Sequence, residues 1–139
     1  MEVHEGCELC EGDGGEVLLR DPYCRVVMPG NPDHPAICRV IFQRHVTEMT
    51  DLAPGERERL MNVVFAVERA LRSVLSPDKI NLASLGNVTP HLHWHVIPRF
   101  RNDSHFPDAV WRPARREAKP APPGLADALS EALRRDQEL

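Results

Sequence analysis

The chain has 139 residues, 42% hydrophobic and 27% charged, which fits one soluble globular domain. No apolar run reaches the roughly eighteen residues of a membrane-spanning helix. The acidic start, Met1 to Cys7, has neither the basic nor the apolar region of a secretory signal. The net charge of −4 gives no footprint for a nucleic-acid polymer.

Cys7-Glu8-Leu9-Cys10 comes first. Without a secretory signal the expected compartment is reducing and cytoplasmic, so a disulfide framework is not expected. A thioredoxin-type pair needs a helix after it, and Gly12-Asp13-Gly14-Gly15 is turn chemistry. Half of a zinc site and two incidental thiols both remain open. Cys24 and Cys38 read as small core residues.

Residues 16–20 read as a strand, Asp21-Pro22 as a turn and residues 23–28 as a second strand, together a hairpin. A loop with three prolines, 29–35, precedes a third strand over 37–43, which puts Ile37, Arg39, Ile41 and Gln43 on one face. Pro54 to about Leu75 is the clearest helix. Pro54 suits its first position, and Leu60, Val63, Val64, Val67, Leu71 and Val74 form one apolar face. A fourth strand over 79–85 and a tight loop over 86–90 lead to a fifth strand that starts at His91 or His93 and ends at Arg99. Residues 100–124 read as a proline-rich arm packed over the domain. Arg112, Arg115 and Arg116 in it read as a solvated face. Leu125, Ala128, Leu129, Ala132 and Leu133 mark a C-terminal helix. Strands without alternating crossover helices predict an α+β fold on a mainly antiparallel sheet.

Three of the seven histidines fall within five residues, in His91-Leu92-His93-Trp94-His95-Val96-Ile97. Side chains alternate along a strand, so His91, His93 and His95 are expected on one face, toward a cleft. Leu92, Trp94 and Val96 are expected in the core. Neighbouring imidazoles cannot all be protonated cheaply, which leaves a neutral nucleophile or metal ligand and donors for an anion. A three-histidine metal site competes, but same-face residues on a straight strand lie roughly 6.5–7 Å apart, which favours separate roles.

This segment resembles the signature of the histidine triad (HIT) superfamily. Val40-Ile41-Phe42-Gln43-Arg44-His45 is similar to that family's strand ending in a basic residue and His, and Thr47 to Leu52 leads into a long helix as in the family. Asn81 resembles its substrate-side Asn. The resemblance covers about residues 7–100. It implies a HIT-like fold, a five-stranded sheet with a long helix and a C-terminal helix packed on it. Residues 1–105 would be the HIT domain and 106–139 the arm and C-terminal helix.

The implied activity is hydrolysis or transfer at the α-phosphate of a nucleotidyl conjugate, a nucleoside phosphoramidate or a dinucleoside polyphosphate. His93 would attack phosphorus and form a nucleotidyl-histidine. His95 would hold phosphate oxygens or help protonate the leaving group, with His91 completing the triad. Asn81, Asn87 and Asn31 are the implied substrate-binding residues. Relatives with the N-terminal Cys-x-x-Cys imply zinc on Cys7, Cys10, His45 and His91, and a homodimer. The rival reading leaves His45 and His91 as hydrogen-bonding supports.

The chain departs from the family at the ribose-binding acid, where it has Met28-Pro29-Gly30-Asn31, and before the triad, where Asn87-Val88 replaces a polar pair. The alternative function is a nucleotide-binding or scaffold protein with negligible turnover. No nucleic-acid or membrane partner is expected. Arg99 and Arg101 are candidate phosphate holders or solvated arginines. His4, His34 and His105 read as surface residues.

Overall fold

A computed structural model describes residues 4–139. Strands β1 (Glu16–Arg20), β2 (Cys24–Met28), β3 (Cys38–Phe42), β4 (Lys79–Ala83) and β5 (His93–Arg99) form one sheet in the order β1-β2-β3-β5-β4. Every neighbouring pair is antiparallel. Helices α1 (Glu8–Glu11), α2 (Pro54–Leu75) and α3 (Leu125–Arg135) complete the expected α+β architecture. No helix among the described residues is long and apolar enough to cross a membrane.

The β1–β2 turn is closed by Asp21, whose Oδ1 accepts the backbone N–H groups of Tyr23 at 2.7 Å and Cys24 at 2.8 Å. Its other carboxylate oxygen takes the Arg59 guanidinium, which ties the hairpin to α2. At the start of α2, the Glu56 carboxylate accepts the Ala53 N–H at 2.8 Å and the Arg44 guanidinium at 2.9 Å. The helix buries Leu60, Val63, Val64, Val67 and Leu71 on the face its periodicity predicts.

One sheet face carries the main core. Val26, Val40, Phe42 and Val96 pack there with α2 and with Leu125, Leu129 and Leu133 of α3. Cys24 and Cys38 are buried in it, and burial raises both thiols to about 12. The other face is set by strand register. Val27, Arg39, His95 and Ala83 form one cross-strand row, and Arg25, Ile41 and His93 form the next.

The N-terminal segment covers one end of this second face, with Leu9 packed on Val27 and Ile41. Gly14, where the chain turns from α1 into β1, has φ +85°, and a Cβ there would stand 2.8 Å from Leu9 and 3.1 Å from Ile41.

The arm after β5 is pinned by Arg99, which is 3% exposed and donates to Asp103 at 2.9 and 3.2 Å. Burial alone would raise the Asp103 carboxyl, but Arg99 and the N–H groups of Phe100, His105 and Phe106 hold it well below the usual carboxylate range. His34 and His105 are not surface residues. Their rings meet at 2.8 Å with the Ser104 hydroxyl against both, 6% and 3% exposed, because the arm folds down on the loop before β3. His4 is exposed, stacked 3.8 Å above His45.

Candidate active site and metal centre

β5 begins at His93, so His91 precedes the strand. The expectation that three histidines share one strand face is corrected accordingly. His93 and His95 stand on the open face, and the fully buried His91 turns to the N-terminal segment.

His91 Nε2 lies 2.6 Å from the Phe42 carbonyl oxygen, which only accepts, so Nε2 carries the proton and Nδ1 keeps its lone pair. That Nδ1 lies 3.5 Å from both Cys7 Sγ and Cys10 Sγ, and Cys10 Sγ lies 3.3 Å from His45 Nδ1. All four donor atoms lie within 4.8 Å of one another. Tetrahedral zinc ligands at about 2.0–2.3 Å stand roughly 3.3–3.8 Å apart, so these donors need only small movements to share an ion. The carbonyl on Nε2 is the outer contact that fixes a metal-binding imidazole. The residues present fit zinc.

His93 is held by the same logic. Its Nδ1 lies 2.6 Å from the His91 carbonyl oxygen, so the proton sits on Nδ1 and the lone pair on Nε2. Its own carbonyl accepts the Ser84 hydroxyl at 2.7 Å. Burial, above all, lowers the His93 imidazole and keeps it neutral. The His95 ring lies 5.0 Å from that of His93, nearly perpendicular at 81°, and Trp111 of the arm meets its edge at 5.4 Å. Burial, then competition with His93 for a proton and the charge of Arg39, push His95 down to about 4. A cavity of about 380 Å³ opens beside His93, between segments 47–50 and 84–86.

The remaining candidates are spread around this centre. Asn87 is exposed in the loop before the triad, which Thr89 ties to α1 through a 2.9 Å bond to Glu8. Asn81 lies across from Ile97 on the open face, with its Oδ1 accepting Arg99 Nη1 at 2.9 Å. Asn31 Oδ1 accepts the N–H groups of Asp33 and His34 at 2.9 and 3.0 Å. Arg99 is not a free phosphate holder, because Asp103, Asn81 and the Asp108 carbonyl use its guanidinium. Arg101 is exposed and anchored through its backbone N–H to Asp78 at 2.8 Å.

Sequence reasoning missed two neighbours of His95. Arg39 pairs with it across β3 and β5. The alternation of β3 already put Arg39 beside Ile41, but only the strand order brings that face against the triad. Trp111 carries no local signal, since the irregular arm delivers it.

Comparison with known proteins follows the same lines. A family model described as HIT domain matches residues 14–102. A bis(5'-nucleosyl)-tetraphosphatase (asymmetrical) of Schizosaccharomyces pombe is 30% identical over 103 residues, 70% of this chain and 57% of that protein. An AP-4-A phosphorylase of Mycobacterium tuberculosis is 30% identical over 98 residues, 66% of this chain and 50% of that protein. The chain thus spans about half the length of these curated relatives. Among solved structures, a histidine triad protein from Bradyrhizobium japonicum superposes with a TM-score of 0.74 at 26% identity, covering 96% of each chain. A zinc-bound histidine triad family protein from Mycobacterium smegmatis shares the fold at a TM-score of 0.65 and 21% identity, covering 92% of this chain and 91% of that one. With its triad at the start of β5, its five-stranded antiparallel sheet and a family match over 14–102, this chain belongs to the HIT family.

Proposed function

We propose that the chain is a HIT-type nucleotide hydrolase or transferase acting at the α-phosphate of a nucleotidyl conjugate, a dinucleoside polyphosphate or a nucleoside phosphoramidate. The observation that carries this is the His93 ring. The His91 carbonyl fixes its proton on Nδ1 and leaves Nε2 as the nucleophile. In the first step the Nε2 lone pair forms a bond to phosphorus, and the bond from phosphorus to the leaving group breaks. The imidazolium so formed keeps its Nδ1–H on that carbonyl. In the second step water or an acceptor attacks phosphorus and gives up its proton to solvent, the N–P bond breaks, and neutral His93 returns. His95, neutral near pH 7, donates one N–H to a phosphate oxygen or to the departing group.

Asn87, Asn81 and Asn31 are proposed as substrate contacts. For Asn81 and Asn31 the amide nitrogen is the open group, since their oxygens are engaged within the protein. Cys7, Cys10, His45 and His91 are proposed as zinc ligands. Bound there, zinc would be structural and leave no position for substrate. Two thiols on a metal and two in the core fit a reducing, cytoplasmic setting. A homodimer completes the proposal.

The test is turnover of diadenosine tetraphosphate and adenosine phosphoramidate, with rapid quench to trap labelled protein. The wild type should form a nucleotidyl-protein, and His93→Ala should lose both the adduct and at least about a thousandfold in rate. Full activity in His93→Ala would reject the assignment. The engaged oxygen of Asn31 favours a second reading, a nucleotide binder with negligible turnover. Tight binding without His93-dependent turnover would select it.

A further inference from the structure

A phosphate held at His93 and His95 needs positive charge close by. His95 does not supply it, since its ring is neutral near pH 7. Strand register puts Arg20, Arg25, Arg39, Lys79 and Arg99 on the open face. Arg20 is paired with Asp13 at 2.7 Å. Arg25 is consumed by the carbonyls of Leu9, Gly12 and Asp13 and by Gln43, and so braces the N-terminal segment. Arg99 is consumed by Asp103, Asn81 and the Asp108 carbonyl. Lys79 stands at the far end of β4, opposite Arg99, with its ammonium on the Ile80 carbonyl at 2.7 Å.

Arg39 differs from all of these. It sits in the His95 row, opposite His95 on one side and Val27 on the other. Its guanidinium makes no ion pair with a carboxylate among the described residues, and its Nε is buried without a hydrogen-bond partner. Native proteins seldom leave a buried donor unpaired unless a ligand or solvent completes it. Its charge reaches His95, its partner across the strands, lowering the affinity of that ring for a proton. A planar guanidinium fork also matches phosphate geometry.

We propose that Arg39 is the anion-binding residue of this site, donating to the non-bridging oxygens of the phosphate whose phosphorus His93 attacks. It thereby selects nucleotides over nucleosides. The proposal rests on the nucleotide reading above and adds to it the residue that recognises the charge.

The test is calorimetric binding of AMP and of adenosine to the wild type, Arg39→Gln and Arg39→Lys, with a thermal melt of each. Arg39→Gln should weaken AMP by about ten- to hundredfold, the ratio a charge-assisted hydrogen bond supplies. It should leave adenosine binding and the melt unchanged, and Arg39→Lys should recover part of the AMP affinity. AMP binding that Arg39→Gln leaves intact overturns the proposal alone. So does an equal loss of AMP and adenosine, or a lysine variant no better than glutamine, since either makes Arg39 a structural residue. A wild type that binds no AMP overturns the nucleotide reading, and this proposal with it.

Discussion

His93 and His95 are two positions apart on the same sheet face, yet their surroundings prepare them differently. A carbonyl fixes the tautomer of His93, whereas His95 is kept neutral by burial, by competition with His93 for a proton and by the charge of Arg39, which bring it to about 4. That depression links stability to pH. In the unfolded chain His95 titrates near 6.5, so between about 6.5 and 4 the unfolded state binds more protons than the folded one. Stability contributed by neutral His95 is therefore whole above pH 6.5 and is lost as the pH falls toward 4. Between pH 7 and 5 the loss should be on the order of 2 kcal/mol, at about 1.4 kcal/mol per pKa unit. Burial lowers His34 as well, and it acts with the same sign. Urea unfolding of the wild type and His95→Gln at both pH values isolates the His95 part. The wild type should lose more stability on acidification than the variant. Equal losses would mean that His95 is not held neutral in the folded protein.

Among the elements, α1 is the least able to stand alone. Four residues cannot nucleate a helix in water. Four contacts hold it: Leu9 on Val27 and Ile41, the Arg25 guanidinium on the carbonyls of Leu9 and Gly12, the Thr89 hydroxyl on Glu8, and the Cys7–Cys10–His45–His91 cluster. If zinc fills that cluster, protein purified without added metal should contain about one zinc per chain, and Cys10→Ser should contain almost none. Chelation should speed amide exchange in residues 7–12 while leaving the buried turns of α2 protected. Near-zero zinc in the wild type would reject the site. Long periodic elements were legible in the sequence: α2 has its predicted bounds, and each of the five strands lies within its predicted range. The single turn of α1 was not, because four residues contain no period. The His34–Ser104–His105 contact was not either, since its members are up to 71 residues apart in sequence and each stands in polar, proline-rich surroundings. The Cys7–Cys10–His45–His91 cluster was legible through family resemblance, whereas Arg39 became visible only once its neighbours' hydrogen bonds were known.

The sheet as a whole has two edges, and the chain treats them differently. α3 packs against β1, and the Ser130 hydroxyl bonds the Leu18 carbonyl at 3.2 Å, so that edge is attended. Among the described residues β4 pairs only with β5, which leaves it an edge strand, the kind of edge that recruits another strand. Around it, Leu82 is 37% exposed and Leu85 52%, while a groove of about 530 Å³ between β4 and α2 is lined by Glu68, Arg72, Ile80 and Leu82. Phe65, 43% exposed, lies one and two helical turns before Glu68 and Arg72, on the same side of α2. A two-fold dimer that aligns β4 with its copy would satisfy the edge and cover these side chains at once. The proposed homodimer should therefore sediment at about twice the 15.7 kDa chain mass. Leu82→Glu should shift it to the monomer at micromolar concentration, because a carboxylate buried against its symmetry mate would be both desolvated and repelled. Asp13→Asn, beside Arg20 of β1 at the far edge of the sheet, should leave the assembly unchanged. A wild type already monomeric at that concentration would reject the dimer, and a dimer that survives Leu82→Glu would place its interface away from β4.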